Sequence, residues 1–234
     1  MLKKQLELLS ESFEITVGAR SSALSKVQVE EVLSELNFTY PNITFKKCFT
    51  DTVGDRDQKT SLRNLGKTDF FTYDVDKMLL DGQIRVGIHS AKDLPDPLPK
   101  GIVVVALTRG VDSTDSLVLQ PGVTLESLPK NAKIATSSLR REEAVKELRK
   151  DLCFVDIRGC IETRLSYLKD RKVDGVVIAE AALIRLDRTD LNRITLPGST
   201  VEGQGQLAIT ALDRDQEMQE LFSSIDSRLL AALP

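Results

Sequence analysis

The chain has no tryptophan, one histidine and three cysteines among its 234 residues, and aromatic residues make up only 5% of it. So few aromatics argue against a surface that binds nucleic acid by base stacking. One histidine and no Cys-x-x-Cys leave no set of ligands for structural zinc, so no metal is expected. The cysteines, Cys48, Cys153 and Cys160, are scattered, which suits a reducing cytoplasm better than a disulfide framework. No apolar run approaches the roughly 20 residues of a membrane span. The N-terminal Met1-Leu2-Lys3-Lys4 is interrupted by charge and is not a signal peptide. A net charge of −3 excludes a general nucleic-acid or membrane surface, so any attraction for anions must come from local clustering. Neither nucleic acid nor membrane is expected as a partner, and a cytoplasmic monomer is the expected state.

What is present is an ordinary globular composition, 41% hydrophobic and 29% charged, in a chain long enough for one large or two modest domains. Apolar periodicity predicts strands over 13–18, 43–49, 86–89, 102–107, 117–119, 133–135, 154–157, 176–179, 195–196 and 206–211. It predicts helices over 23–36, 70–80, 139–149, 161–168 and 181–186, then terminal helices over 216–222 and 225–233. This alternation predicts α/β architecture with parallel strands. One domain is expected over 13–108 with return strands over 198–212, and a second over 109–197. Residues 1–12 form an N-terminal extension with Leu2, Leu6 and Leu9 on one side, and 213–234 the C-terminal helices. The polar stretch 50–67 carries Gly54 and Gly66; a connection that long is expected to be functional and mobile.

The densest chemistry lies at 134–141, Ile-Ala-Thr-Ser-Ser-Leu-Arg-Arg, where a strand is expected to end and a helix to begin. A helix start leaves N–H donors unpaired and binds anions readily. Arg140 and Arg141 oppose the helix dipole there, at a cost of roughly 0.3–1 kcal/mol each. The plainer alternative is an N-cap serine followed by solvated arginines. A weak internal echo, Val17-Gly18-Ala19-Arg20-Ser21-Ser22 against Ile134-Ala135-Thr136-Ser137-Ser138, suggests two similarly built halves turned toward a shared cleft. Arg20, Arg140, Arg141, Arg158 and Arg164 all fall at strand-to-helix junctions. Arginine's planar fork suits carboxylates, and no Walker-type loop favours phosphate instead. In Ile88-His89-Ser90-Ala91-Lys92-Asp93-Leu94-Pro95, Asp93 is a lone carboxylate suited to stabilise a developing cation or relay a proton. Its alternative is a turn former. His89 is expected to be packed and hydrogen-bonded, since no Ser-His-Asp signature recruits it.

Several motifs in order resemble the porphobilinogen deaminase (hydroxymethylbilane synthase) family. They are Ala19-Arg20-Ser21-Ser22-Ala23-Leu24 with Gln28, His89-Ser90-Ala91-Lys92-Asp93-Leu94-Pro95 and Thr136-Ser137-Ser138-Leu139-Arg140-Arg141. Arg158-Gly159 with Thr163-Arg164-Leu165, and Gly203-Gln204-Gly205, continue the match, which runs from about residue 13 to beyond 211. The resemblance implies two α/β lobes built like type-II periplasmic binding proteins, with an interdomain cleft. It implies a cytoplasmic transferase of tetrapyrrole (haem) biosynthesis that joins porphobilinogen into linear hydroxymethylbilane with release of ammonia. Asp93 matches the family's catalytic aspartate. Arg20, Arg140, Arg141, Arg158 and Arg164 match arginines that hold pyrrole carboxylates. Ser22, Thr136, Ser137 and Ser138 match donors of the same surface.

The chain departs from the family in two places. Asn64 and Thr68 occupy the positions of loop lysines, with Arg63 and Lys67 beside them. Family members continue into a third domain whose cysteine holds a dipyrromethane cofactor through a thioether. Here no cysteine follows Cys160 before Pro234, so a family fold without that domain is expected. Cys48 and Cys153 are expected in the core, and Cys160, directly after Arg158-Gly159, is a candidate alternative anchor. The rival reading is a non-catalytic pyrrole- or tetrapyrrole-binding protein. A ligand-sensing half of a regulator would share the fold, but the sequence offers no basic helix-turn-helix.

Overall fold

The structure, a computed structural model, describes residues 14–230. The expected extension over 1–12 and the end of the last expected helix lie outside the described residues. The chain divides into two compact units. Unit 1 takes residues up to 56, then 67–110 and those from 206 onward; unit 2 takes 57–66 and 111–205.

In chain order, unit 1 begins with β1 (Glu14–Arg20), α1 (Ala23–Thr39), β2 (Thr44–Thr50), α2 (Val53–Arg56), α3 (Tyr73–Leu80), β3 (Val86–Ser90) and β4 (Ile102–Leu107). Unit 2 carries β5 (Asp115–Leu119), β6 (Lys133–Ala135), α4 (Leu139–Leu148), β7 (Cys153–Val155), α5 (Ile161–Lys169), β8 (Gly175–Ala179), α6 (Glu180–Arg185) and β9 (Arg193–Thr195). The chain then returns to unit 1 as β10 (Leu207–Leu212), α7 (Gln216–Phe222) and α8 (Ser227–Leu230).

Alternation explains β1: Ile15, Val17 and Ala19 are buried and pack with Val29, Val32, Leu33 and Leu36 along one stripe of α1. Met218, Leu221 and Phe222 of α7 join the same core. In unit 2, Leu117, Leu119, Ile134 and Val177 of the sheet pack with Ala144 and Val145 of α4. Each such fully buried aliphatic side chain contributes roughly 1.5–3 kcal/mol relative to exposure.

The sheets are mixed, not parallel as the alternation predicts. Unit 1 has the order β2-β1-β3-β10-β4, and unit 2 the order β7-β6-β8-β5-β9. In unit 1, β1 runs parallel to β2 and β3, while β10 lies antiparallel between β3 and β4. In unit 2, β6 runs parallel to β7 and β8, while β5 lies antiparallel between β8 and β9. The odd strand in each sheet is the one that arrives from the other unit, without the helical crossover that would bring it in parallel. The two units therefore share one strand order, which gives the faint sequence echo a topological form.

Some segments group differently from the sequence expectation. Residues 57–66 belong with unit 2, where the Arg158 guanidinium donates to the Asp57 carbonyl (2.7 Å) and Arg63 Nη2 to the Thr136 carbonyl (3.3 Å). The stretch 198–205 also belongs there, tied by the Gln204 amide to the carbonyls of Ser113 (2.8 Å) and Thr114 (3.1 Å). Within 50–67 the chain forms α2 and a 3-10 turn at Leu62–Asn64. The last expected helix is broken at Asp226. Its backbone is extended, and its carboxylate accepts from the Leu107 N–H (3.2 Å). Cys153 is exposed and Cys48 only half-buried, because β7 and β2 are edge strands.

Candidate functional site

In unit 1, Arg20 is the last residue of β1 and Ser22 caps α1, its hydroxyl accepting from the Ser25 N–H (3.2 Å). The Arg20 guanidinium forks onto Asp55, with Nε donating to Oδ2 (3.1 Å) and Nη2 to Oδ1. It also lies over the Phe71 ring, 4.7 Å from the centroid. Burial works against its charge, but Asp55 and the nearby Asp93 outweigh it and raise the Arg20 pKa. Burial alone would raise the Asp55 pKa; Arg20 and Thr52 outweigh it, so the carboxylate titrates below its usual range.

Asp93 ends a 3-10 turn, Ala91–Asp93, directly after β3. That turn is fixed by the Ala91 N–H donating to the Gln206 carbonyl (3.0 Å), and the Gln28 amide donates to the Ser90 hydroxyl (3.0 Å). Arg20, Phe71, Ile88, His89, Ser90 and Asp93 line one pocket. Sequence-predicted Arg20 and Asp93 are thus brought together beside an aromatic ring, at the ends of the paired strands β1 and β3. His89 is buried, with Nε2 3.2 Å from the Thr210 hydroxyl and 3.8 Å from Asp76 Oδ1. Burial, with the Arg20 charge adding to it, pushes His89 down to about 4. At neutral pH it is therefore uncharged and packed, as its sequence context implies.

In unit 2, Ser138 caps α4, its hydroxyl accepting from the Arg141 N–H (3.5 Å). Thr136 is buried and its hydroxyl accepts from the Ser138 N–H (3.2 Å). Ser137 donates to Asp156 and accepts from the Ile157 N–H (3.0 Å), so it ties this turn to the end of β7. Every one of these hydroxyls has an internal partner. Locally, the plain N-cap description holds at Ser22 and at Ser138.

The arginines are paired and only partly exposed, however. Arg140 Nη2 donates to Asp115 Oδ2 and Arg141 Nη2 to Asp115 Oδ1 (2.6 Å), while the Gln204 amide donates to Oδ1 as well (3.0 Å). Asp115 is 1% exposed. Burial alone would raise its pKa; Arg141 and Arg140 outweigh that and hold it below the usual carboxylate range. Arg140 Nη1 also donates to the Ser199 carbonyl (3.1 Å). Glu142, buried in the first turn of α4, pairs with Arg63 at 2.5 Å. Asp115 and Glu142 thus supply the negative charge that a helix start carrying two arginines needs. The Nε–H groups of Arg140 and Arg141 are buried and have no acceptor.

Arg158 donates to the Asp57 carbonyl (2.7 Å), and Arg164, on α5, turns its Nε back to the Gly159 carbonyl (2.9 Å). Cys160 is exposed at the N-cap of α5, with Sγ 3.2 Å from the Thr163 hydroxyl. Unit 2 therefore joins Arg140 with Arg141 through one carboxylate, and holds Arg158 and Arg164 by separate backbone carbonyls. Such guanidinium groups can receive carboxylates; the unit 1 pocket can place a carboxylate against a developing positive charge.

Sequence reading missed Asp55, Asp115 and Glu142. Asp115 sits immediately before an apolar run, and a charge entering a buried strand was the available signal. Asp55 follows Gly54, whose lack of a side chain admits the Phe71 ring that stacks on Arg20; a Cβ there would meet that ring at 2.3 Å. Among the described residues, no group of three or more His, Cys, Asp or Glu could hold a metal, and no helix is long and apolar enough to cross a membrane.

Residues 15–220 match the family model described as porphobilinogen deaminase, dipyromethane cofactor binding domain. The porphobilinogen deaminase of Syntrophomonas wolfei is 35% identical over 215 residues, covering 91% of this chain and 70% of that protein. The probable porphobilinogen deaminase of Chlamydia pneumoniae is 38% identical over 211 residues, covering 90% of this chain and 89% of that one. Among solved structures, the probable amino-acid ABC transporter extracellular-binding protein ytmK of Bacillus subtilis is similar with a TM-score of 0.52 at 13% identity. That alignment covers 94% of this chain and 93% of that chain. At such low identity the likeness concerns the fold alone, an α/β architecture of two lobes resembling type-II periplasmic binding proteins.

Proposed function

The chain belongs to the porphobilinogen deaminase family, and from that premise we propose that it is a transferase joining porphobilinogen units into linear hydroxymethylbilane with release of ammonia. The observation that carries this reading is the unit 1 pocket, where Arg20 and Asp93 stand together beside the Phe71 ring. A substrate carboxylate suits Arg20, which stays charged at every working pH. Asp93 then stabilises positive charge on the pyrrole as the amine leaves, and holds the proton released when the new bond forms.

The dipyrromethane cofactor that the family implies is itself a polycarboxylate, and the cations of unit 2 fit it: Arg140 and Arg141 stand together on Asp115 and both keep a solvent-reaching part. Arg140, Arg141, Arg158 and Arg164 would hold its acetate and propionate groups. When bound, dipyrromethane supplies the pyrrole terminus to which porphobilinogen is joined. Ser22, Thr136, Ser137 and Ser138 act mainly by fixing the two helix starts through the hydrogen bonds they already make.

The test is porphobilinogen consumption and ammonia release by wild-type and Asp93→Asn protein. Turnover by the wild type and a loss of roughly 10²-fold or more in the variant, the usual scale for a positioned acid–base group, supports the enzyme. Oligopyrrole binding with no turnover in either protein replaces this reading with that of a pyrrole-binding protein.

A further inference from the structure

We infer that Asp115, held by Gln204, is a positioning residue: it aligns Arg140 and Arg141 so that the solvent-reaching parts of their guanidinium groups can receive a ligand carboxylate. Adjacent residues on a helix project about 100° apart, yet these two guanidinium groups converge on one carboxylate, one on each oxygen. Two cations so close repel each other unless a negative charge lies between them. Asp115 supplies that charge from β5, a strand fully enclosed in the unit 2 sheet.

Gln204 fixes the carboxylate in turn. Its amide donates to Asp115 Oδ1 and to the carbonyls of Ser113 and Thr114. Gly205 keeps the loop in place with a φ of +85°, where an added Cβ would lie 2.1 Å from the Asp112 carbonyl oxygen. The contacts to Asp115 use only Nη2 of each arginine, and Arg140 Nη1 is spent on Ser199. What remains is Arg141 Nη1, which neither contact uses, and the solvent-reaching part of each side chain, 29% exposed for Arg140 and 13% for Arg141. Donors oriented in advance bind an incoming anion without first having to be ordered.

The role of the ligand rests on the function proposed above, whereas the alignment of the arginines does not, so the experiment reads the two separately. Side-chain ¹⁵N NMR of the full chain, assigned with Arg140→Lys and Arg141→Lys, reports guanidinium rotation in the absence of ligand. Calorimetry then measures the Kd for dipyrromethane, the polycarboxylate assigned to these arginines. Slow rotation of both guanidinium groups in the wild type, freed in Asp115→Asn at a temperature where the variant remains folded, is the expected result. A rise in Kd of about tenfold or more should accompany it, the scale of about 1.4 kcal/mol. Gln204→Ala, which leaves the ion pairs intact, should show the same pattern at roughly threefold, and it decides the matter if Asp115→Asn does not fold. Rotation still hindered in the variants, or freed with Kd unchanged, overturns the inference. A wild type that shows hindered rotation and no dipyrromethane binding sinks the proposed ligand while leaving the alignment established.

Discussion

The two units solve one problem differently on the same strand order. Each ends a central parallel strand in a serine-capped helix start and places arginine there. In unit 1 the arginine still belongs to the strand, and its partner is Asp55, whose side chain is 21% exposed. In unit 2 the arginines lie inside the first turn of the helix, and their shared partner is Asp115, whose side chain is 1% exposed. A guanidinium beside the helix adds little to the unfavourable field of the dipole. Two guanidinium groups within the first turn face that field and each other, and only a buried countercharge overcomes both.

The largest expected effect follows from that contrast. Asp115→Ala strands two partly buried arginines and should cost about 3 kcal/mol, at the low end for a broken buried ion pair because both arginines reach solvent. Asp55→Ala strands a single arginine that stays stacked on Phe71, and should cost about 1 kcal/mol, although the cap it gives Thr52 is also lost. Urea midpoints of the two variants measure the difference. Equal losses would mean that the helix position of the arginines carries no extra demand for a counterion.

Much of this arrangement was legible in the chain, and the parts that were not share a cause. Local signals placed the strands, a serine cap at the start of α4, and the arginines. The motif around Asp93 placed the acid in a pocket with Arg20. Strand direction was not legible, because an antiparallel strand such as β10 or β5 has the same apolar run as a parallel one, and only its distant origin in the chain decides its sense. Asp115 and Asp55 were hidden for a related reason. Their importance comes from partners 25 and 35 residues away; the charge entering a buried strand at Asp115 hints that it is paired but not with what, and the neighbourhood of Asp55 carries no such hint. Cys153 was misread because apolar context predicts burial only for a strand covered on both faces, and β7 lies at an edge.

Buried acids sharpen the comparison through pH. Asp76 on α3 is 3% exposed, nearly as enclosed as Asp115, but among the described residues its basic neighbour is His89, uncharged at neutral pH. Burial, together with the Asp69 charge, pushes it up from 3.8 to about 6. A raised pKa means that the folded state binds this proton more tightly than the unfolded chain. The group's contribution is most favourable below about 3.8 and is lost as pH rises to about 6. Asp115, with its lowered pKa, has the opposite sign: its contribution is present above the ordinary carboxylate range and is lost as pH falls below that range through the lowered pKa. Asp76→Asn should therefore stabilise the protein by about 1–2 kcal/mol at pH 7 relative to its effect at pH 4, allowing for the hydrogen bonding the amide changes. Melting curves of wild type and variant at both pH values test the sign. A gain that is larger at pH 4 than at pH 7 would mean that Asp76 is ionised and paired in the folded protein.

The smallest expected difference concerns the caps that made the two helix starts look alike in sequence. Ser22 accepts from the Ser25 N–H at 3.2 Å, and Ser138 from the Arg141 N–H at 3.5 Å, the edge of hydrogen-bonding distance. Removing an N-cap hydroxyl typically costs about 1 kcal/mol. Ser22→Ala should reach that value, while Ser138→Ala should cost about half of it, because Glu142 and Asp115 already oppose the unfavourable charge at the start of α4. The ordering reverses if the cap at Ser138 is what holds Arg141 toward Asp115. In that case Ser138→Ala would also free the Arg141 guanidinium in the rotation experiment, and the hydroxyl would count as part of the arginine-positioning apparatus.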